Sequence, residues 1–239
     1  MKRRDIAFAV VAVLAAALFA RLGVWQLHRL GERRAQNAQV RGRIYEPAVP
    51  LRSLPMESGS VRFRRAVVAG TPDYAHELVL ILRGREGSPG VNFITPFRQP
   101  GTDTAVLVNR GWAYAPDGVT VDEARWREPD TLYSGYVELV TNGKPAREVR
   151  GDQRLIRDVD RASIARAIPY PVAPLYLVAM ADSATVKRST PAAVQNHLAR
   201  LEPPPLDEGP HMSYAIQWFS FAIIAIGGMF IALRHGRGV

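Results

Sequence analysis

Cysteine is absent from the sequence. That excludes disulfides, thiolate metal sites, a c-type haem attachment sequence and a cysteine-based copper chaperone. The five methionines are scattered, which leaves no thioether copper site either. No serine stands in a G-x-S-x-G nucleophile elbow. The glycine-rich stretch LRGREGSPG, residues 82–90, lacks the Lys-Ser/Thr of a phosphate-binding loop and reads as a hairpin turn. His76 and His197 have no partners at metal-ligand spacing and read as surface or internally satisfied histidines. The motifs give an enzyme no support.

Positive charge is in excess but is not gathered. The net charge is +9, of which residues 1–34 hold +5, residues 35–205 hold +4 and residues 206–239 hold none. Between residues 35 and 205 the basic side chains alternate with acids, unlike the basic stripe of a nucleic-acid footprint, so no nucleic-acid partner is expected.

Long apolar runs are confined to the two ends. Residues 6–20 run without a charge and follow Lys2, Arg3 and Arg4. Fifteen residues suit a signal-peptide core as well as a membrane helix, but Leu22, Gly23, Val24 and Trp25 continue the pattern beyond Arg21. About 20 apolar residues are enough to span a bilayer. Arg21 then sits where its stem reaches the headgroups, and Trp25 falls in the interfacial aromatic belt. Residues 214–233 form a second run without charge, closed by RHGRGV. Arg234 and Arg237 follow it, while Asp207 and Glu208 precede it, so its C-terminal end is assigned to the cytoplasm. The expected layout is a cytoplasmic N-terminus over 1–5, a first span over 6–27, an external (periplasmic) domain over 28–210, a second span over 211–233 and a cytoplasmic tail over 234–239. The protein is thus expected in the inner, or cytoplasmic, membrane, with the lipid bilayer as a partner.

Between the spans the sequence reads as short strands separated by turn signals. RRAVVAGTPD, HELVLILRG, GVNFITPF, TAVLVNRGWA and TLYSGYVELV are β-branched or aromatic runs. They predict a mainly antiparallel β domain, a small barrel or sheet, with one or two helices. SPG, PDG and NGKP are the expected turns, and DVDRASIARAI an expected helix with Asp160 as N-cap, ending before Pro169. RLGERRAQNAQVRGR reads as a polar helical exit from the first span.

Four stretches stand out: GVWQLHR at 23–29, GVNFITPF at 90–97, LVNRGWAYAPDG at 107–118 and HMSYAIQW at 211–218. On residues alone, each has a plain reading as an interfacial belt, a core strand, a strand end with a packed tryptophan, or the mouth of a membrane helix. In this order they resemble the Surfeit-locus (Surf-one type) family of cytochrome c oxidase assembly factors. Gly23, Trp25, Gln26 and Arg29 match its G-x-W-Q-x-x-R; Asn109, Arg110, Gly111 and Trp112, after Val108, match its V-N-R-G-W; and His211, Tyr214, Ala215, Gln217 and Trp218 match its H-x-x-Y-A-x-Q-W. Ala113-Tyr114 depart from the Val-Pro that often follows the central motif, and residues 119–205 match little.

The resemblance implies a non-enzymatic factor that assists insertion of haem a into, or stabilisation of, the oxidase catalytic subunit. Its implied partners are that subunit and the haem A synthesis machinery. It also implies transient haem a binding, with His211 as the metal ligand. With Pro210 opening the helix, His211, Tyr214, Ala215 and Trp218 share one face, along which a macrocycle can lie. Arg21 and Arg29 then suit its propionates, with lipid phosphate as the plainer alternative. Two readings of His211 stay open, an interfacial residue in the field of Asp207 and Glu208 or an axial ligand. A second function class also stays open, a membrane-anchored sensor or scaffold whose external domain binds a protein or an envelope polymer.

Overall fold

The computed structural model describes residues 3–56, 59–143, 151–181, 197–203 and 205–235. Part of the NGKP turn, Lys2 and Arg237 lie outside these. The protein divides into two compact units, residues 1–41 with 205–239, and residues 42–204.

The first unit is a pair of helices, α1 (Arg3–Ile44) and α3 (His211–His235). Both are long and apolar enough to cross a membrane. The apolar window of α1 is only 17% buried and that of α3 only 6%, unlike the core helix of a soluble protein. Val11, Leu14, Ile223 and Ile224 are each exposed over more than half of their surface. The polar exit from the first span is a direct continuation of α1, and residues up to 41 belong with the helices, not with the sheet.

What little α1 buries follows a strict spacing. Ala12, Ala16, Gly23, Gln26, Leu30 and Asn37 are buried, with Phe19 and Arg33 half-buried between them. These positions alternate by four and three residues, the seam of a packed helix pair. On α3 the matching seam runs through His211, Ala215, Trp218, Ala222, Ala225 and Met229. The helices are antiparallel: Phe19 stacks on Trp218 at 5.8 Å, Gln26 meets His211, and Arg34 meets Glu208. Small residues let the backbones approach. A Cβ added at Gly23 would stand 2.7 Å from the Phe219 ring. Gly23→Leu is therefore expected to push the helices apart and to cost about 1–3 kcal/mol of their packing. With no native thiols to interfere, Arg34→Cys paired with Glu208→Cys reads this out: oxidative cross-linking proceeds in the parent protein and drops when Gly23→Leu is added.

Among the described residues, the second unit is a nine-stranded sheet with one short α-helix. Its strands are β1 (Val49–Pro50), β2 (Arg65–Ala69), β3 (Thr71–Pro72), β4 (Leu78–Leu80), β5 (Gly90–Arg98), β6 (Ala105–Tyr114), β7 (Leu132–Leu139), β8 (Leu155–Ile156) and β9 (Val172–Ala179). The order is β1-β2-β7-β9-β6-β5-β4-β8, with β3 added on β5. All five strand runs expected from the sequence form, as β2 with β3, β4, β5, β6 and β7. The helix α2 (Arg161–Ala167) also forms, with the Asp160 carboxylate accepting from Ser163 N–H at 2.9 Å.

The sheet is mixed, which corrects the expectation of a mainly antiparallel one. β1 runs parallel to β2, β8 to β4, and β9 to β6. The central parallel pair comes from β9, which returns after α2 and inserts between β6 and β7, antiparallel to β7 and parallel to β6. A parallel neighbour needs a long crossover, and residues 115–171 supply it. Central strands are buried on both faces, so they read as continuous apolar runs without alternation. On β4, Leu78 and Leu80 join a cluster with Ile164 and Ile168 of the α2 region, while Val79 packs with Ile81, Phe93 and Trp126 on the other side.

Candidate functional site

The helix pair carries its polar groups where the apolar windows end. Gly209, at φ +65°, turns the backbone into α3, and its N–H donates to the Asp207 carboxylate at 3.2 Å. Tyr214 N–H donates to Pro210 C=O at 3.1 Å, so Pro210 caps α3 and His211 is its first helical residue. On α1, Arg33 Nε and Asn37 Nδ2 both donate to Asp207 C=O, at 3.1 and 2.8 Å. Arg34 grips the Glu208 carboxylate through two bonds of 2.8 Å. That bidentate bond holds the Glu208 carboxyl below its ordinary value, although the pair is solvent-exposed and adds little stability. Together these contacts fix the approach to His211.

His211 Nδ1 lies 2.9 Å from Gln26 Oε1. An amide oxygen only accepts, so this contact takes a proton on Nδ1, and in the neutral imidazole the lone pair is then on Nε2. This is the tautomer a metal-binding imidazole needs, set by a neighbour that also fixes the ring's direction. The ring edge bearing Nε2 lies near Gly209, where a Cβ would stand 3.6 Å from Nε2, in ordinary van der Waals contact. Beside the imidazole is a cavity of about 290 Å³ lined by Arg29, Glu32, Arg33, Gln36, Asp207 and Gly209. Its two arginines are already matched: Arg29 pairs with Glu32 at 2.5 Å and Arg33 with Asp207 at 3.6 Å.

The other residues singled out at this end distribute as follows. Trp218 lies in the seam, stacked on Phe19 and edge-on to Phe221 at 5.9 Å. Tyr214 is 45% exposed and turns away from the seam that buries Ala215. Gln217 is also exposed. Arg21 and Trp25 line a separate apolar hollow of about 350 Å³ with Leu18 and Leu22. Thus His211, Gln26 and Arg29 are brought together, whereas Arg21 and Tyr214 stand outside the cavity. Phe19, Arg33 and Asn37 were missed by motif reading; the alternating three-four spacing of the α1 seam is the signal that finds them.

The central motif lies in the other unit and has different chemistry. Arg110 on β6 is wholly buried and makes a charged network. Its Nη2 and Nε donate to Glu77 Oε2 at 2.7 and 3.2 Å, and its Nε also donates to Thr95 Oγ1 at 2.7 Å. Nη1 donates to Trp126 C=O at 2.7 Å and reaches Glu128 at 3.3 Å. Thr95 hydrogen-bonds Glu77 in turn, while Tyr133 and Arg200 close the network on Glu128 at 2.7 and 3.0 Å. Desolvation opposes the Arg110 charge, but the Glu77 carboxylate more than offsets it, so the guanidinium stays charged. Gly111, at φ +141°, lets Ala199 C=O pass where a Cβ would stand 2.6 Å away. Trp112 exchanges both backbone hydrogen bonds with Ala199, at 2.8 and 2.9 Å. Asn109 is buried on the same strand. In this unit the motif therefore holds the sheet together. Its partners Glu77, Thr95, Glu128 and Arg200 carry no local signal, since each is brought in from elsewhere in the sequence.

Comparison with known proteins agrees with the pattern of stretches. A SURF1-like protein of Mycobacterium bovis is 28% identical, over 94% of this chain and 81% of its own length. A SURF1-like protein of Rickettsia felis is 24% identical over 91% of this chain and 92% of its own length. Surfeit locus protein 1 of Mus musculus is 29% identical over 52% of this chain and 45% of its own length. The SURF1 family profile matches residues 13–223, from within α1 to within α3, and the chain belongs to the SURF1 family.

Proposed function

We infer that this protein is a two-span assembly factor for cytochrome c oxidase, not an enzyme, and that it assists placement of haem a in the catalytic subunit through transient binding at His211. The observation that carries the haem step is the Gln26–His211 hydrogen bond, which leaves Nε2 free at the rim of a polar cavity. The donor set fits such a group. Among the described residues no cluster of three or more metal-ligating side chains forms, so a metal at His211 draws its remaining ligands from elsewhere, as a porphyrin supplies. Bound there, haem would supply an iron centre able to take a neutral imidazole as a ligand.

The protein's own residues then have definite tasks. Gln26 holds the His211 ring and its tautomer. Arg29 and Arg33 offer N–H donors to propionates, in exchange with Glu32 and Asp207. Arg21, one helical stretch away beside Trp25, suits a lipid phosphate better than a group at His211. A cavity of about 290 Å³ is at the lower end for ligands, so it takes the edge of a macrocycle and does not enclose it. Such an open site favours handing on over storage. The reading places the protein in the inner membrane with both termini cytoplasmic and the β domain external, supported by Arg234 after the second span and the acids before it. The haem A synthesis machinery is then the donor side and the oxidase catalytic subunit the acceptor.

Gln26→Leu leaves His211 in place but removes its orienting acceptor. Loss of such a partner typically costs 10- to 100-fold in metal affinity, so about that loss of haem a affinity is expected, measured by titration of the purified protein. For the function as a whole, a strain lacking the protein should lose most of its oxidase absorption and activity, restored by the wild type. Normal oxidase spectra in that strain would leave the sensor or scaffold reading in its place.

A further inference from the structure

The cavity beside His211 has one polar group that the haem reading leaves without a task, the side chain of Gln36. We propose that Gln36 is the residue by which this site distinguishes haem a from the same haem with a methyl in place of the formyl group (haem o), its side-chain N–H donating to the formyl oxygen. This role rests on the haem reading of His211 and adds a discriminating contact to it.

Arg29, Glu32, Arg33 and Gln36 fall at i, i+3, i+4 and i+7 on α1, which sets them on one helical face, and all four line the cavity. Gln36 is exposed, so its amide is open to a ligand. It is also the one neutral donor of the lining that nothing else engages. The carboxylates of Glu32 and Asp207 only accept. The Gly209 N–H is taken up by the Asp207 carboxylate at 3.2 Å, and the His211 Nδ1–H by Gln26 at 2.9 Å. Arg29 and Arg33 each face a carboxylate, at 2.5 and 3.6 Å, so an incoming propionate there replaces like with like. The Gln36 amide has no hydrogen-bond partner among the described residues.

The ligand's chemistry matches this division. Haem a carries its formyl on the same pyrrole ring as one of its propionates. An edge that offers carboxylates to Arg29 and Arg33 therefore also offers a neutral carbonyl acceptor close by. Carboxylates draw the charged donors, since charge-assisted bonds are the stronger ones, and the formyl oxygen is left to the neutral amide. A methyl group accepts nothing. Because Gln36 is exposed, its amide returns to water when haem o binds, so the discrimination is that of one ordinary hydrogen bond. That is about 2- to 10-fold in affinity, well below what a buried polar site achieves.

The test titrates the purified full-length protein in detergent with haem a and with haem o, each followed by its visible absorption. The wild type should bind haem a about 2- to 10-fold more tightly. Gln36→Leu puts a good helix former of similar size at an exposed position and should bind the two haems equally, with its affinity for haem o unchanged. The resonance Raman formyl C=O stretch of bound haem a should rise in Gln36→Leu, because the hydrogen bond is lost. It should stay in place in Gln217→Leu, at an exposed position outside the cavity. Equal affinities in the wild type, or a preference and a formyl stretch that Gln36→Leu leaves unchanged, would overturn the role of Gln36. The haem reading survives that result if His211→Ala still weakens both haems. If neither haem binds the wild type, the two fall together.

Discussion

Arg110→Met is expected to destabilise the sheet unit by about 3–5 kcal/mol, the loss that follows when one partner of a buried ion pair is removed. The size follows from what remains. Glu77 is 1% exposed, and burial already pushes its carboxyl above the ordinary value against the pull of Arg110. Without the guanidinium, Glu77 must either stay charged in an apolar interior or take up a proton to fold. Trp126 C=O also loses a donor, and Glu128 keeps only Tyr133 and Arg200. Set against a total stability of roughly 5–15 kcal/mol for a domain, this is enough to unfold a substantial fraction of the protein. Urea unfolding followed by tryptophan fluorescence measures it. Arg110→Met combined with Glu77→Met should recover most of the loss, because two apolar groups of similar volume leave no charge uncompensated. A single variant as stable as wild type would show that the network is not what holds the strands.

Gly135→Ala should have the next largest effect. β7 and β9 lie so close at this point that a Cβ on residue 135 would stand 1.9 Å from Val178 C=O and 2.7 Å from its carbonyl carbon. Both are backbone atoms of a central strand, paired through Gly135↔Ala179 and Tyr136↔Val178, so no rotamer change makes room. The strands must separate, and the cluster that contains Val137, Leu175 and Leu177 opens with them. A loss of at least about 3 kcal/mol is expected, in the range reserved for disrupted cores. The same denaturation experiment reads it, and hydrogen exchange should localise the opening to β7 and β9. Exchange unchanged in those strands would count against this close approach.

How far these features show in the sequence depends on range. β4, β5, β6 and β7 are readable because each is a compact apolar or β-branched run between turn residues. The α2 cap is readable because Asp160 and its acceptor role lie within three residues. β9 was hidden: Pro174 interrupts its pattern, and nothing local tells that it will run parallel to β6. The seam of α1 is present in the sequence as alternating spacing, but the same residues satisfy a plain membrane span, so composition conceals the pairing. Motif reading found His211 and Gln26 separately. That they meet, 185 positions apart, is a tertiary fact. It also found Arg110 as part of a pattern, without its buried partner Glu77, 33 residues upstream. Resemblance located the residues; only packing separated the one poised at a cavity from those that hold the sheet.

The two ends of the resemblance therefore have different consequences when altered. Changes at Arg110, Gly111 or Gly135 act on whether the sheet unit folds, so under the proposed function any effect on oxidase passes through the amount of protein. His211 is half-exposed, and Gln26→Leu puts an apolar group of similar size into the helix seam, so changes at either should leave the amount of protein unchanged.

The most direct measurement is the visible spectrum of the purified protein produced together with haem A synthesis. The wild type should carry a haem a band. His211→Ala should lose most of it at equal protein yield, Gln26→Leu should lose part, and Tyr214→Phe, outside the cavity, should keep it. A wild type without the band, or a His211→Ala variant that retains it in full, would contradict the assignment of His211 as the haem ligand.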